Sequence, residues 1–100
     1  MESFSERVYR ECKRIPKGKV STYKEISLCL GNRAYRAVGS ALNKNPYSDV
    51  PCHRVVGSNG DLVGFAYGLE AKKKMLEKEG VKVDNYRIDL TNYFFKLTGK

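Results

Sequence analysis

The sequence predicts a mainly α domain with a small β-wing, arranged as a winged helix-turn-helix. Three observations carry that prediction. Helix-start signals occur early, at Ser3-x-x-Glu6 and Thr22-x-x-Glu25, each the pattern of a capping box. Behind the second, two short helical segments meet at a tight turn around Gly31-Asn32, the spacing of a helix-turn-helix. Further on, Gly57-Ser58-Asn59-Gly60-Asp61 separates two apolar stretches as a hairpin turn would, and supplies the wing. A chain of 100 residues suits one domain, here residues 1–100, with no additional N-terminal domain expected.

The elements follow in order. After Ser3, the side chains Phe4, Val8, Tyr9 and Cys12 share one helical face, and Pro16-Lys17-Gly18 turns the chain out of that helix. Val20-Ser21 reads as a short extended piece. In the next helix Ile26, Cys29 and Leu30 face inward and Gly31 closes the C-terminal end. Asn32 is placed to cap a helix from Arg33 to about Asn43, where Ala34, Ala37, Val38, Ala41 and Leu42 recur at helical spacing. Gly39-Ser40 weakens that helix and implies close approach by another backbone. Asn45-Pro46 opens a polar turn that leads into the run Val50 to Val56. A last helix spans about Leu69 to Glu79 and stops at Gly80, with Leu69, Met75 and Leu76 inward. Lys72, Lys73 and Lys74, interleaved with Glu77 and Glu79, read as its solvated face. The tail from Val81 holds Ile88, Leu90, Tyr93, Phe94 and Leu97, enough apolar surface to dock on the body, in an order that local patterns do not give.

Composition narrows the function classes. The net charge is +8, and the bases are clustered, with Lys13, Arg14, Lys17 and Lys19 early and Arg33, Arg36 and Lys44 around one helix. That excess points to a polyanion, most simply nucleic acid. No apolar run approaches the roughly 20 residues of a membrane span. The N-terminal MESFSERVYRECKR lacks the apolar stretch of a signal peptide, so the expected compartment is cytoplasmic. Three cysteines and no CxxC pair predict neither a disulfide framework nor a metal site. Cys12 and Cys29, among apolar neighbours, read as small core residues.

Cys52 stands apart, between Pro51 and His53-Arg54. A thiol is a poor nucleophile until it loses its proton, and a neighbouring base lowers that barrier. Neighbours on a strand point to opposite faces, so the thiol and the imidazole either touch or are bridged by water. His53 is the only histidine, and it needs a partner to fix its tautomer. Glu79, at the end of the last helix, is the candidate.

The stretch Pro51-Cys52-His53-Arg54-Val55-Val56 resembles the active-site motif of the O6-alkylguanine-DNA alkyltransferases. Three further segments resemble the same family in the same order: IPKGKVSTYKEI from Ile15, RAYRAVGSALNKNP from Arg33, and GFAYGLEAKKKMLEKEGV from Gly64. The resemblance implies a suicidal methyltransferase that acts in DNA repair. Cys52 would accept the alkyl group irreversibly. His53 would take the thiol proton through a water, with Glu79 orienting it and Asn45 tying the hinge to the active-site strand. Tyr23, Val55, Ala66 and Tyr67 would form the substrate pocket, Val55 through its backbone. Arg36 would fill the space left by the flipped base. Arg33, Ser40, Lys44 and Tyr23 would also face DNA. The implied partner is double-stranded DNA carrying an alkylated guanine, gripped through the minor groove by a monomer, in the nucleoid or nucleus, with no cofactor and no metal.

Two departures from the family pattern carry expectations of their own. Ala66 lacks the hydroxyl often found in the substrate loop, and Tyr67 puts a large ring where a glycine often lies. Together they predict a tight pocket that accepts methyl and rejects bulky aromatic adducts. The tail resembles that of the alkyltransferase-like proteins, which bind alkylated guanine without repairing it. A non-catalytic damage sensor is therefore the alternative reading, and an ordinary winged-helix transcription regulator is a third.

Overall fold

Helix α1 (Phe4–Lys13) begins at the expected capping box: Ser3 Oγ accepts from Glu6 N at 3.1 Å, and Ser3 N donates to the Glu6 carboxylate at 3.0 Å. Val8, Tyr9 and Cys12 are its buried face. The computed structural model describes residues 2–65 and 67–98. After the turn at Pro16, β1 (Ser21–Thr22) leads straight into α2 (Tyr23–Cys29). Thr22 Oγ1 caps α2 by accepting from Glu25 N at 3.0 Å. The second half of that capping box does not form. Glu25 is buried, and its carboxylate instead accepts from Leu97 N, Thr98 N and Thr98 Oγ1 at 2.7, 2.8 and 3.0 Å. The tail has taken the acid that the cap would have used.

Helix α3 (Tyr35–Asn43) starts two residues later than expected. Asn32 spends its side chain on a local turn, with Oδ1 accepting from Ala34 N at 2.9 Å, so the backbone becomes helical only beyond Ala34. Val38, Ala41 and Leu42 point inward as expected, whereas Ala37 is exposed. The neighbour that Gly39 admits is the Tyr23 ring, not a backbone: a Cβ there would lie 3.8 Å from two ring carbons. The α2–turn–α3 unit packs across α1, and this is the helix-turn-helix.

The small β element is present, but its pairing is not local. β1 pairs in parallel with β2 (Val55–Val56), Ser21 opposite Val55 and Thr22 opposite Val56. The turn at Gly57 closes as predicted, with Gly57 N donating to Asp61 O at 2.9 Å. Its flanks do not pair with each other as a hairpin. Leu62 N donates to Tyr86 O and Ile88 N donates to Gly60 O, each at 2.9 Å, so the partner is the tail. Gly60 makes this possible: its φ is +92°, and any Cβ there would collide with the Ile88 carbonyl.

β2 also divides the interior. Val55 belongs to a core built on Val8, Cys12, Ile26 and Val38, while Val56 belongs to a second built on Val20, Leu62, Leu76 and Ile88. Adjacent strand residues face opposite sides, so the segment that enters β2 lies at the seam between the two cores. Helix α4 (Leu69–Lys78) covers the second core. Its inward residues are Leu76 and Lys72, one turn apart, while Leu69 and Met75 remain 39% and 41% exposed. Lys72 is thus not part of a solvated face; it is fully buried. A short α5 (Leu90–Tyr93) and the strand-like stretch after it close the fold, with Phe95 N donating to Val20 O at 2.7 Å.

Candidate active site

The chemistry-bearing residues sit on a 3-10 turn, Cys52–Arg54, rather than on the strand expected. Arg54 N donates to Pro51 O at 2.9 Å and closes it. Three residues per turn rotate successive side chains by about a third of a circle, so Cys52 and His53 leave the backbone in different directions without being opposed.

His53 and Arg54 converge on Glu79, the C-terminal cap of α4. His53 Nε2 lies 2.9 Å from Glu79 Oε2. Arg54 donates to both carboxylate oxygens, from Nε at 2.9 Å and Nη2 at 2.7 Å, and its Nη1 donates to Ile15 O. Burial pushes the Glu79 carboxyl up, but the bonds from Arg54 and His53 outweigh it and bring it down to about 2. Glu79 is therefore an anion at any physiological pH. Burial also pulls the His53 imidazole below its ordinary value, against the opposing pull of Glu79. A neutral imidazole facing a carboxylate at Nε2 carries its proton there, which leaves Nδ1 as the free acceptor.

Asn45 joins this group. Its Nδ2 donates to Tyr47 O at 3.0 Å and Val50 O at 3.3 Å and lies 3.8 Å from Cys52 Sγ. The hinge is thereby fastened, with an amide N–H aimed at the half-buried sulfur. Tyr23 donates its hydroxyl to Val63 O at 2.9 Å. Burial raises this phenol to about 12, so it stays protonated. Tyr23, Gly64 and Phe65 line a narrow cleft that reaches Cys52. Val55 is buried in the core, so only its backbone can face a ligand.

On its other side Cys52 opens onto a cavity of about 500 Å³, walled by Asn45, Tyr47, Pro51, Phe65 and Met75. Tyr67 stands at its edge, 80% exposed, its ring edge-on to Phe65 at 5.6 Å. The tight pocket expected from Tyr67 is not found, because the ring turns outward instead of filling the space beside the sulfur. Ala66, the other residue behind that expectation, lies outside the described residues.

Arg36 and Ser40 are exposed on α3 and line a separate groove with Tyr35, Gly39 and Asn43; Tyr23 and Gly64 form the wall between this groove and the Cys52 cleft. Arg33 and Lys44 are exposed at the two ends of α3. Sequence reasoning missed two members of the site. Arg54 was in plain view within the motif, and its fork completes the Glu79 cluster. Lys72 was hidden among neighbouring lysines; the signal that could have found it is its position one turn before the buried Leu76. Among the described residues no group of three His, Cys, Asp or Glu side chains could hold a metal ion, and no helix is long and apolar enough to cross a membrane.

The 6-O-methylguanine DNA methyltransferase, DNA binding domain, matches residues 3–81. A methylated-DNA–protein-cysteine methyltransferase of Sulfolobus acidocaldarius is 49% identical over 85 residues, which is 84% of this chain and 54% of that protein. The chain spans about half the length of the curated relatives it matches. Among solved structures, S. pombe Atl1 in complex with damaged DNA containing O6-carboxymethylguanine superposes with a TM-score of 0.86 at 36% identity, covering 96% of this chain and 99% of that one. Mycobacterium tuberculosis OGT in complex with DNA gives a TM-score of 0.74 at 41% identity over 79% of this chain and 50% of that one. The match spans the cap of α1 to beyond the end of α4, a stretch that holds Tyr23, Arg36, Asn45, Cys52, His53 and Glu79, and the chain belongs to the 6-O-methylguanine DNA methyltransferase family through its DNA-binding domain.

Proposed function

We propose that this chain repairs DNA by moving an alkyl group from O6 of guanine in a duplex onto Cys52, once per molecule. The observation that carries the reading is the Glu79–His53 pair beside Cys52, held at 2.9 Å, with Nδ1 of the imidazole left as a base. The alkyl carbon lies within the base stack, so the nucleotide must leave the helix to reach a thiol. The groove along α3 supplies Arg36 to occupy the vacated space, and unstacking costs a few kcal/mol that such a side chain offsets in part. At the sulfur, the thiol proton passes through a water to His53 Nδ1, the S–C bond forms as the C–O6 bond breaks, and the electron pair stays with guanine. The base then takes up a proton from the Tyr23 phenol, which burial keeps protonated. The thioether has no route back, so the protein is consumed. Residues 1–100 would act as one domain, wherever the cell keeps its DNA.

A second reading has its own support. The likeness to Atl1 extends over nearly the whole of both chains, tail included. On that reading the protein grips alkylated guanine and leaves it unrepaired. Intact-protein mass after incubation with an O6-methylguanine duplex, followed by peptide mapping, decides between them. One methyl on Cys52, stoichiometric and lasting, is the expected result. Lesion-selective binding with unchanged mass makes the protein a sensor and overturns the transfer reading.

A further inference from the structure

Among the described residues two that are not glycine have positive φ, Asn85 at +54° and Tyr86 at +59°. They form the centre of a two-residue turn, closed by Asp84 N donating to Arg87 O at 2.9 Å and by Arg87 N donating to Asp84 O at 3.0 Å. Hairpin turns with both central positions left-handed favour Asn followed by Gly. Asn85 fits that pattern, whereas a tyrosine is strained where glycine would be relaxed. The Tyr86 side chain is 40% exposed, so burial offsets little of the strain. A strained residue persists where its surroundings over-determine it, and such places cluster at functional sites.

The bonds that Tyr86 makes outside the turn run to the two ends of one segment. Its carbonyl accepts from Leu62 N at 2.9 Å. Its hydroxyl donates to Glu70 Oε1, in the first turn of α4, at 2.8 Å. Lys73 places its Nζ 5.4 Å from the centre of the Tyr86 ring. Arg87, next along the chain, donates from Nε to Asp61 Oδ1 at 2.7 Å. Residues 63–69 lie between these anchor points. They supply Gly64 and Phe65 to the Cys52 cleft, Phe65 and Tyr67 to the cavity on its other side, and Val63 and Gly64 to the groove along α3. Holding both ends of a segment restricts the conformations it can sample.

We propose that Tyr86 is a positioning residue, which pins segment 63–69 at its entry and its exit and so fixes the Phe65–Tyr67 wall relative to Cys52. The inference rests on the transfer reading and deepens it, by placing control over adduct size in the tail, outside the stretch that matches the family. Tyr86 touches none of the reacting atoms; it acts through Leu62 and Glu70. A wall that gives way seats a methyl group poorly, whereas a ring that fills the cavity is seated by its own bulk.

The test is single-turnover transfer from O6-methylguanine and O6-benzylguanine duplexes, with lesion-duplex affinity measured separately. Tyr86→Phe removes the hydroxyl bond and keeps the ring and the turn. Tyr86→Gly relaxes the turn and removes both side-chain contacts, so a fold weakened by strain is not the cause of any loss it shows. Both variants are expected to transfer methyl about tenfold more slowly, with affinity within about threefold of wild type. The ratio of benzyl to methyl rate should rise about fivefold or more, whereas a merely structural loss would lower both rates alike. Glu70→Ala should reproduce Tyr86→Phe, and Glu70→Gln, which keeps an acceptor oxygen, should restore the rate. Tyr86→Phe should cost little more in the Glu70→Ala background, because the two act as a pair. Amide hydrogen exchange reads the pinning without any transfer. Gly68 N donates to Phe65 O at 3.0 Å inside the segment, and Val38 N donates to Ala34 O at 3.0 Å in α3. Protection of Gly68 should fall in Tyr86→Phe while that of Val38 holds. Methyl transfer within about threefold of wild type in both variants, an unchanged rate ratio, or unchanged exchange at Gly68 overturns the proposal. If wild type transfers neither group, the transfer reading falls, and exchange at Gly68 decides the pinning.

Discussion

Glu79 accepts from a base and from an arginine fork at once, and its chemistry and its stabilising effect are therefore tied to one titration. Arg54 bonds both carboxylate oxygens and His53 shares Oε2 with it, and the carboxyl sits at about 2 against an ordinary 4.5. A folded-state value below the unfolded one means that the stabilisation is complete above about 4.5 and is lost as pH falls toward 2. The size of the shift bounds it at roughly 3 kcal/mol. The midpoint of urea unfolding should therefore fall with pH across that window in wild type, and Glu79→Gln should flatten the slope. The same variant should slow transfer by roughly 100-fold at neutral pH, since an imidazole without its anchor is a misplaced base. Lys72 changes stability in the same direction with pH, in a higher window. Its folded value of about 8 lies below the ordinary 10.5 of lysine, so the unfolded chain binds more protons between the two and stability from this group rises with pH there.

The cavity beside Cys52 is set by where whole segments lie. The hinge from Asn45 to Pro51 forms one wall, Phe65 and Tyr67 another, and Met75 on α4 a third. About 500 Å³ falls in the roughly 300–1,000 Å³ range that admits drug-sized groups. O6-benzylguanine in a duplex should therefore be dealkylated at a rate within about tenfold of O6-methylguanine, because one ring fits without moving the walls. Rate constants from parallel single-turnover reactions measure this, and a benzyl rate lower by orders of magnitude would show that Tyr67 folds inward when DNA binds. The sequence pointed the other way because a bulky residue name says nothing about the direction of its ring. Elsewhere the elements were legible wherever the signal was local. The capping box at Ser3, the inward Val38, Ala41 and Leu42, and the contact between His53 and Glu79 stand in the structure as read. Glu25, Gly60 and Lys72 were misread for a common reason. Each answers to a distant segment, Leu97 and Thr98 for Glu25, Ile88 for Gly60, and the Val63–Gly64 loop for Lys72, and no local pattern names a partner so far along the chain.

At the scale of the molecule, the segment beyond the family match does structural work on both cores. Residues 82–98 follow the matched stretch, yet Ile88 is buried in one core and Leu97 in the other. The backbone at the end of α5 and just beyond it bonds to Val20, through Val20 N to Tyr93 O and Phe95 N to Val20 O. Arg14 donates to Leu97 O, and the buried Glu25 carboxylate receives two backbone N–H groups and a hydroxyl from Leu97 and Thr98. That carboxylate is the tail's anchor on the helix-turn-helix. Glu25→Ala strands two N–H groups with no acceptor, at about 1–3 kcal/mol each before local water relieves them. The variant should unfold about 2–4 kcal/mol more easily, measured by urea denaturation. Glu25 is remote from the reacting atoms, since its contacts run to the tail and not to the Cys52 cleft, so methyl transfer per folded molecule should be unchanged. A variant that keeps its stability would mean that the tail is held by its apolar residues alone. One that folds normally but transfers slowly would mean that the tail's grip on α2 reaches Tyr23, which opens that same helix.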